Sequence, residues 1–422
     1  MSSTAMNSAI TGLSNFQKML DVVSNNIANV NTAGYKHSKV NFQELYAQTF
    51  RPAAAPSSPS GGSNAVQVGL GSSLASIDSV MTQGILEITD NPTDLAISGD
   101  GYFVLGANGN DVYTRNGHFL IDAGGSVVDG VGRPLQGWAA SSTGVIDQAT
   151  KPAGIRVPFG DSMTAQPTAN MKMVGNLDGS QAIFAAGPPA TGGRFVTEAT
   201  VYDSLGQDYR VQVTFTKVAA PVGAAAAWNW SADLGAANLG TGVTAFDPNG
   251  RYLAASSTAN PSFTLTPTNG AAPVVVAPDF ATVTQLVTPG RSTVAAGSQD
   301  GYPAGTLANF SIDRNGLVVG RYTNGMSKNL AQVALAYFTN PQGLERASGG
   351  LLMESGNSGK PQLGAPGSDA LGELTAGALE ASNVDLSKEF TRLIQAQRAF
   401  QANSRVITTM DEVMGEVSNL RR

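Results

Sequence analysis

The chain has 422 residues, long enough for two or three domains; only 13% are charged, with a mild net charge of -6. Cysteine is absent, which excludes disulfides, thiolate nucleophiles and cysteine-based metal sites. No run of Lys and Arg marks a nucleic-acid surface, and no apolar run nears the roughly 20 residues that span a bilayer.

The N-terminus carries no basic segment before an apolar core, so no cleaved signal peptide is expected. Met6, Ile10, Leu13, Phe16, Leu20, Val23, Ile27 and Val30 recur in steps of three and four, which predicts an amphipathic helix with a coiled-coil-like seam. It runs into "NNIANVNTAGYK", where asparagines, Asn29 among them, suit a helix end and Gly34 suits the turn that closes it. Residues 37–50 read as a short helix or an extended arm, with Phe42, Leu45, Tyr46 and Phe50 as its apolar side chains. "RPAAAPSSPSGGS" after it is a linker.

Strand signals then take over, and 49 Gly and 21 Pro punctuate them. "DLAISGDGYFVL" ends in a strand. Asn116-Gly117 and Asn315-Gly316 carry the hairpin dipeptide, and Gly124-Gly125 marks a further turn. Tyr209, Val211, Val213 and Phe215 alternate along one face of a hairpin. "SFTLTP" and "APVVVAP" read as strands, and "LAQVALAYF" as an alternating one. Past residue 375 the period returns to three and four through Leu386, Phe390, Leu393, Phe400, Ile407, Met410, Val413 (or Met414), Val417 and Leu420, with the amides Gln397 and Asn403 in the seam. Asn383 or Asp385 is placed to cap this helix, and Glu389 and Arg392 to pair on its exposed face.

The fold class is therefore mainly β, multidomain and nested, with a coiled-coil-like helical domain formed by the paired chain ends. A single helix of this length is marginal in water. Packing the two ends against each other covers part of the apolar stripes; copies from neighbouring molecules would cover the rest, and repeated head-to-tail contacts generate a tube. On periodicity alone, an ordinary helical hairpin on a β body is the favoured reading.

Particular residues separate these readings. "NNIANVNTAGYK" resembles the N-terminal signature of the bacterial flagellar axial proteins that build rod and hook. "TAGALEASNVDLSKEFTRLIQAQRAFQANSRVITTMDEVM" resembles their C-terminal signature, and "DLAISGDGYFVL" and "YTRNGHFLIDAGGSVVDGVGRPLQGW" resemble their shared β domain. Within the family, "VYDSLG", "LANFSIDRNGLVVGRYTNG" and "ALAYFTNPQGLE" are similar to hook members, whereas the long 37–76 stretch looks like the distal rod member. The resemblance implies an inner helical domain from 1–35 and 376–422, a connecting arm at 36–76, an inner β domain from 77–159 and 297–375, and an outer β insertion at 160–296. It implies a self-assembling structural subunit, not an enzyme. Ile10, Leu13, Leu20, Val23, Ile27, Asn29, Gly34, Tyr35, Phe42, Leu45, Tyr46, Leu386, Phe390, Leu393, Gln397, Phe400 and Ile407 are the expected subunit-contact residues. It further implies location in the extracellular flagellum and flagellar type III export. The implied partners are copies of itself, the distal rod protein, the hook cap protein and the hook–filament junction protein, with no cofactor, nucleic acid or membrane insertion. The distal rod member is the nearer alternative; a secreted β-rich carbohydrate-active enzyme or adhesin is the farther one.

Other motifs read as ordinary structure. His37 and His118 lie in different segments and lack cysteine partners, so a metal site is not expected. "GDG" at 99–101 and "NGND" at 108–111 do not match a calcium-loop spacing and read as turns. "GVGRPLQG" lacks the Lys-Ser/Thr ending of a phosphate loop. Trp138, Trp228 and Trp230 suit core packing better than sugar stacking.

Overall fold

The computed structural model describes residues 2–56, 61–107 and 109–420. Residues 57–60 of the linker, Asn108 of the "NGND" turn and the side chains of Val417 and Leu420 in the expected seam lie outside the described residues. The chain divides into two units: residues 1–158, 310–320 and 328–422, and residues 159–309 and 321–327. Residues 297–309, expected in the inner β domain, thus group with the second unit.

In the first unit, α1 (Ser2–Ala28) and α2 (Leu386–Leu420) pack together, as the two periodic stripes predict. Asp385 caps α2: its carboxylate accepts from the Ser387 and Lys388 amides at 3.0 and 3.2 Å. The helix-or-arm segment after α1 is a β-ladder. β1 (Ser38–Glu44) pairs antiparallel with β4 (Ser72–Ser79), and β2 (Ala47–Arg51) pairs with β3 (Val66–Gly69). Alternating Val40 and Phe42 find their partner strand some thirty residues downstream, beyond the window in which local period is read. The proximal ladder lies on α1. Asn15 Nδ2 donates to the Ser72 carbonyl and hydroxyl, both at 2.9 Å, and the Phe16 and Phe42 rings meet edge-on at 6.2 Å. Gly71 (φ 111°) passes so near α1 that a β-carbon would sit 2.4 Å from the Thr11 hydroxyl oxygen.

The β part of this unit is built on a six-stranded sheet with Tyr102–Ala107 and Asn110–Thr114 at its centre. Phe103 and Phe119, both fully buried, pack edge to face at 5.2 Å. Two sequence expectations fail here. Asn116-Gly117 is not a hairpin turn, because the strand before it pairs with Tyr102–Ala107 and the strand after it, Phe119–Ile121, pairs with Val127–Asp129. Its glycine is required by close approach: a β-carbon would lie 1.6 Å from the Leu95 carbonyl oxygen. "LAQVALAYF" divides between two sheets, Ser327–Val333 and Leu335–Tyr337, and residues 331–336 are buried on both faces. The Gly124-Gly125 turn forms as expected, with Asp122 accepting from the Gly124 and Ser126 amides. Trp138 is buried and its indole N–H donates to the Thr150 carbonyl at 2.8 Å.

The second unit is a two-sheet β structure. Arg194–Tyr202, Asp208–Val218, Ala226–Leu234 and Ala237–Phe246 form an antiparallel meander. The other sheet orders Phe263–Leu265, Val274–Thr284, Asn170–Asn176 and Ala295–Gln299, with one parallel pairing at its middle. The predicted alternation holds: Val211, Val213 and Phe215 turn inward with Trp228, Trp230, Phe246 and Phe280, and both tryptophans are sealed in the core. Hydrogen-bonded aspartates tie its loops; buried Asp178 accepts from Ser180, Gln181, Thr288 and Gly290.

Candidate functional site

Most of the fully buried positions in the interface between α1 and α2 carry small or polar side chains. Ala9, Val23, Asn26, Glu389 and Ala396 are the buried residues nearest it, with Ala396 at 0% exposure. At Gly12 a β-carbon would lie 2.8 Å from Asn403 Nδ2, so the glycine admits the amide. On α2 the inward positions Glu389, Ala396, Asn403 and Met410 repeat every seven residues, with half-buried Leu393, Phe400 and Ile407 between them.

The large apolar residues divide differently from the predicted seam. Val23 is buried; Leu13, Phe16, Leu20, Ile27 and Val30 are half-buried. Met6 and Ile10 point to solvent; on α2, Leu386, Phe390 (50% exposed), Ile394 (55%) and Gln397 share an outward face, while Val406, Val413 and Met414 are exposed elsewhere around the helix. A period of three to four places residues on a stripe but does not say which edge of it turns toward the partner helix. The Glu389–Arg392 pair forms, with oxygen and nitrogen 2.6 Å apart, but against expectation Glu389 is buried in the helix interface.

The asparagine segment is the fastener between these helices and the rest of the unit. Asn26, buried, donates from Nδ2 to the Ser38 carbonyl at 2.8 Å and to Glu389 Oε2 at 3.2 Å, while its Oδ1 accepts from the Ser38 amide at 2.9 Å. Asn29 Nδ2 caps back onto the Asn25 carbonyl at 2.9 Å. Tyr35 donates its hydroxyl to Asn25 Oδ1 at 2.8 Å and carries the Arg346 guanidinium over its ring at 5.5 Å. Gly34 (φ 70°) faces the Arg115–Asn116 peptide, where a β-carbon would lie 2.6 Å from the backbone. Asn383, a candidate cap in sequence, instead accepts from the His37 amide at 2.8 Å and donates to the Val80 and Thr82 carbonyls.

Behind the turn lies a buried charge cluster. Glu380 takes Lys36 Nζ on Oε1 at 2.5 Å and Arg115 Nη1 on Oε2 at 3.4 Å, and accepts the Gly84 amide at 2.8 Å. Burial holds the Lys36 ammonium below its ordinary range, and the Arg115 charge adds to this, against the hydrogen bond and charge of Glu380. Removing Glu380 would leave two buried cations without their counter-ion, so the carboxylate locks one geometry where chain and helices part. Sequence reading gave no role to Lys36, Arg115 and Glu380, which are scattered along the chain, and placed Glu389 on the exposed face. Asn26 stood in the quoted motif and was read only as a helix-end residue.

The remaining expected residues sit on the arm. Leu45 is half-buried and its amide donates to the Gly71 carbonyl; Phe42 lies partly on α1; Tyr46 is 88% exposed. Phe50, Val66 and Val68 are also exposed on the distal ladder. The structure thus brings Asn29, Gly34 and Tyr35 together at the turn, Leu13, Leu20, Val23, Ile27, Leu393, Phe400 and Ile407 along the helix pair, and leaves Ile10, Tyr46, Leu386, Phe390 and Gln397 facing outward.

Residues 6–36 match the family "Flagella basal body rod protein" and residues 375–420 match "Flagellar basal body rod FlgEFG protein C-terminal". Between them, residues 96–169 match "Flagellar hook protein FlgE/F/G D1 domain" and residues 176–302 match "Flagellar basal body protein FlaE D2 domain". These are families of flagellar rod and hook subunits. The chain is similar to the flagellar hook protein FlgE of Borreliella burgdorferi, 35% identical over 98% of both chains. It is 34% identical to that of Salmonella typhimurium over 98% of this chain and 99% of the relative, and 33% identical to that of Escherichia coli over 99% and 100%. The crystal structure of Helicobacter pylori flagellar hook protein FlgE2 shares the fold, with a TM-score of 0.54 at 14% identity, over 70% of this chain and 100% of that one. The chain belongs to the flagellar hook protein family.

Proposed function

We propose that this chain is a structural subunit of the bacterial flagellar hook, polymerising into a helical tube that serves as a flexible joint and passes motor torque to the filament. One observation carries the reading beyond kinship. The helix pair closes on glycine, alanine and amides while Phe390, Ile394, Leu386 and Ile10 face solvent, an apolar surface that copies of the same pair would complete. In this reading the helical part (1–35 and 376–422) forms the inner tube, the 77–159 and 297–375 β segments surround it, and the 160–296 insertion lies outermost. The 36–76 arm lies between neighbouring subunits, where Tyr46, Phe50, Val66 and Val68 supply apolar surface. The role is structural rather than catalytic. Export by the flagellar type III apparatus without a cleaved signal, growth on the distal rod beneath a hook cap, and a junction protein above complete the proposal. No described helix is long and apolar enough to cross a membrane.

The test is Phe390→Asp. Its monomer should keep the wild-type circular dichroism and urea midpoint and form no tubes by electron microscopy. Wild-type tubes from this variant would remove the outward face from the assembly interface. Phe400→Asp, half-buried beside α1, should weaken the helix pair as well as the tube.

A further inference from the structure

Arg346, Lys36 and Arg115 line a groove of about 330 Å³ beside the last turn of α1, together with Asn25, Asn29 and Gly350, and no carboxylate lines it. Glu380, which pairs with Lys36 and Arg115, is fully buried and is not part of the lining. The groove therefore presents one exposed cation, Arg346, above the buried Lys36 and Arg115, whose two positive charges meet the single carboxylate of Glu380 and leave the site with an excess of positive charge. Its opening sits next to Gly349 and Gly350, where no atoms within 4 Å would obstruct a β-carbon, so a side chain can enter from solvent.

The far end of α2 has the opposite deficit. Asp411, Glu412 and Glu416 are exposed, and none forms an ion pair among the described residues. No basic residue stands three or four positions from any of them, and Glu412 and Glu416 are like charges one turn apart, which costs helix stability. That end also lacks cover. Gly12 meets Asn403 and Asn26 meets Glu389, 14 positions apart on both helices, so Ser2 is level with residue 413. The last turns of α2 run about 10 Å past the start of α1.

Within one molecule the two features cannot meet, since Glu412 lies 23 positions beyond Glu389, about 35 Å along the helix. We propose that the acidic stretch Asp411, Glu412 and Glu416 near the end of α2, ahead of Arg421 and Arg422, seats in one copy against the cationic groove at the α1 exit of the next. The contact is heterologous, using two different surfaces at opposite ends of one helix pair, so it propagates as an open polymer and gives the stack a direction. It rests on the reading of the chain as a self-assembling subunit and adds to it the charged residues that set axial register.

A charge swap tests it. Arg346→Glu and Glu412→Arg should each raise the critical concentration for tube formation by about tenfold or more, and the two together should return it to within roughly threefold of wild type. Monomer circular dichroism checks that each variant folds, and Arg346→Gln replaces Arg346→Glu if the latter does not, paired with Glu412→Gln as the matching neutral variant. Single variants that assemble as wild type, or a double charge swap no better than either single one, would overturn the contact. Wild-type chain that forms no tubes at all would instead sink the self-assembly reading on which it stands.

Discussion

The second β unit and the terminal helix pair bury their side chains differently. In the β unit two sheets enclose Trp228, Trp230, Phe215, Phe246, Phe263 and Phe280, all fully or almost fully buried, and the large side chains are the ones inside. In the helix pair the inside belongs to Ala9, Gly12, Asn26, Glu389, Ala396 and Asn403, and many large side chains are outside. The first arrangement is complete in one molecule. The second leaves large apolar side chains at the surface, and in the proposed assembly another copy covers them. The comparison teaches that burial in a monomer separates parts that fold alone from parts that fold on assembly.

Truncation in the β unit should have the largest effect on the isolated chain. Phe280 packs against Phe215 at 6.0 Å and Trp230 at 5.6 Å, so Phe280→Ala should cost about 3–5 kcal/mol. Urea unfolding followed by the fluorescence of Trp228 and Trp230 reads this directly. A cost below ~1 kcal/mol would mean the sheets do not share a tight core. Next in size is Ala396→Leu, which forces a larger side chain into the helix seam at a cost of roughly 1–3 kcal/mol. Helical circular dichroism of the assembled tubes should show a lowered melting temperature, and an unchanged one would place Ala396 outside the seam.

Acid should separate the regions as well. Burial alone would raise the carboxyl groups of Asp178, Asp203 and Asp300 in the β unit. The hydrogen bonds donated by Gln181, Ser180 and Gly290, by Asn269, Gln207, Leu205 and Tyr209, and by Asn170 and Ala169 outweigh it and hold all three below 3.8. A depressed carboxyl pKa contributes stability that is complete above the unfolded-state value and is lost as pH falls through the folded-state one. The β unit should therefore weaken progressively as pH drops below about 4. Stability flat from pH 5 to pH 2 would contradict the clamp assignment.

The smallest expected effects are on the outer surface of the helices and on the arm. Phe390→Ala should move monomer stability by no more than about 0.5 kcal/mol, because Phe390 is half-exposed there. Deleting residues 47–69 removes the distal β2–β3 ladder, spares the Asn26–Ser38 and Phe16–Phe42 contacts, and should still permit assembly, giving tubes of shorter persistence length than wild type. Equal stiffness would return the arm to a surface linker.

Much of this contrast was legible in sequence. The two helices, the Tyr202–Asp208 hairpin, the turn at Asn315-Gly316 and the inward row Val211, Val213, Phe215 follow from local period and turn chemistry. The facing of the helical stripes did not, because Gly12 and Ala396 set the inner edge and small residues carry little periodic signal. The Lys36–Glu380–Arg115 cluster joins positions hundreds of residues apart, which no local pattern encodes. Asn116-Gly117 misled because its glycine answers a tertiary contact with Leu95 instead of a turn.

Amide hydrogen exchange on dilute monomer and on assembled tubes tests the central claim most directly. Backbone amides in 211–215 and 228–232 should be strongly protected in both states, whereas residues 8–28 and 386–416 should exchange quickly in the monomer and gain at least about a hundredfold protection in the tube. Equal protection of the helices in both states would show that the pair is a finished core by itself and would contradict the account.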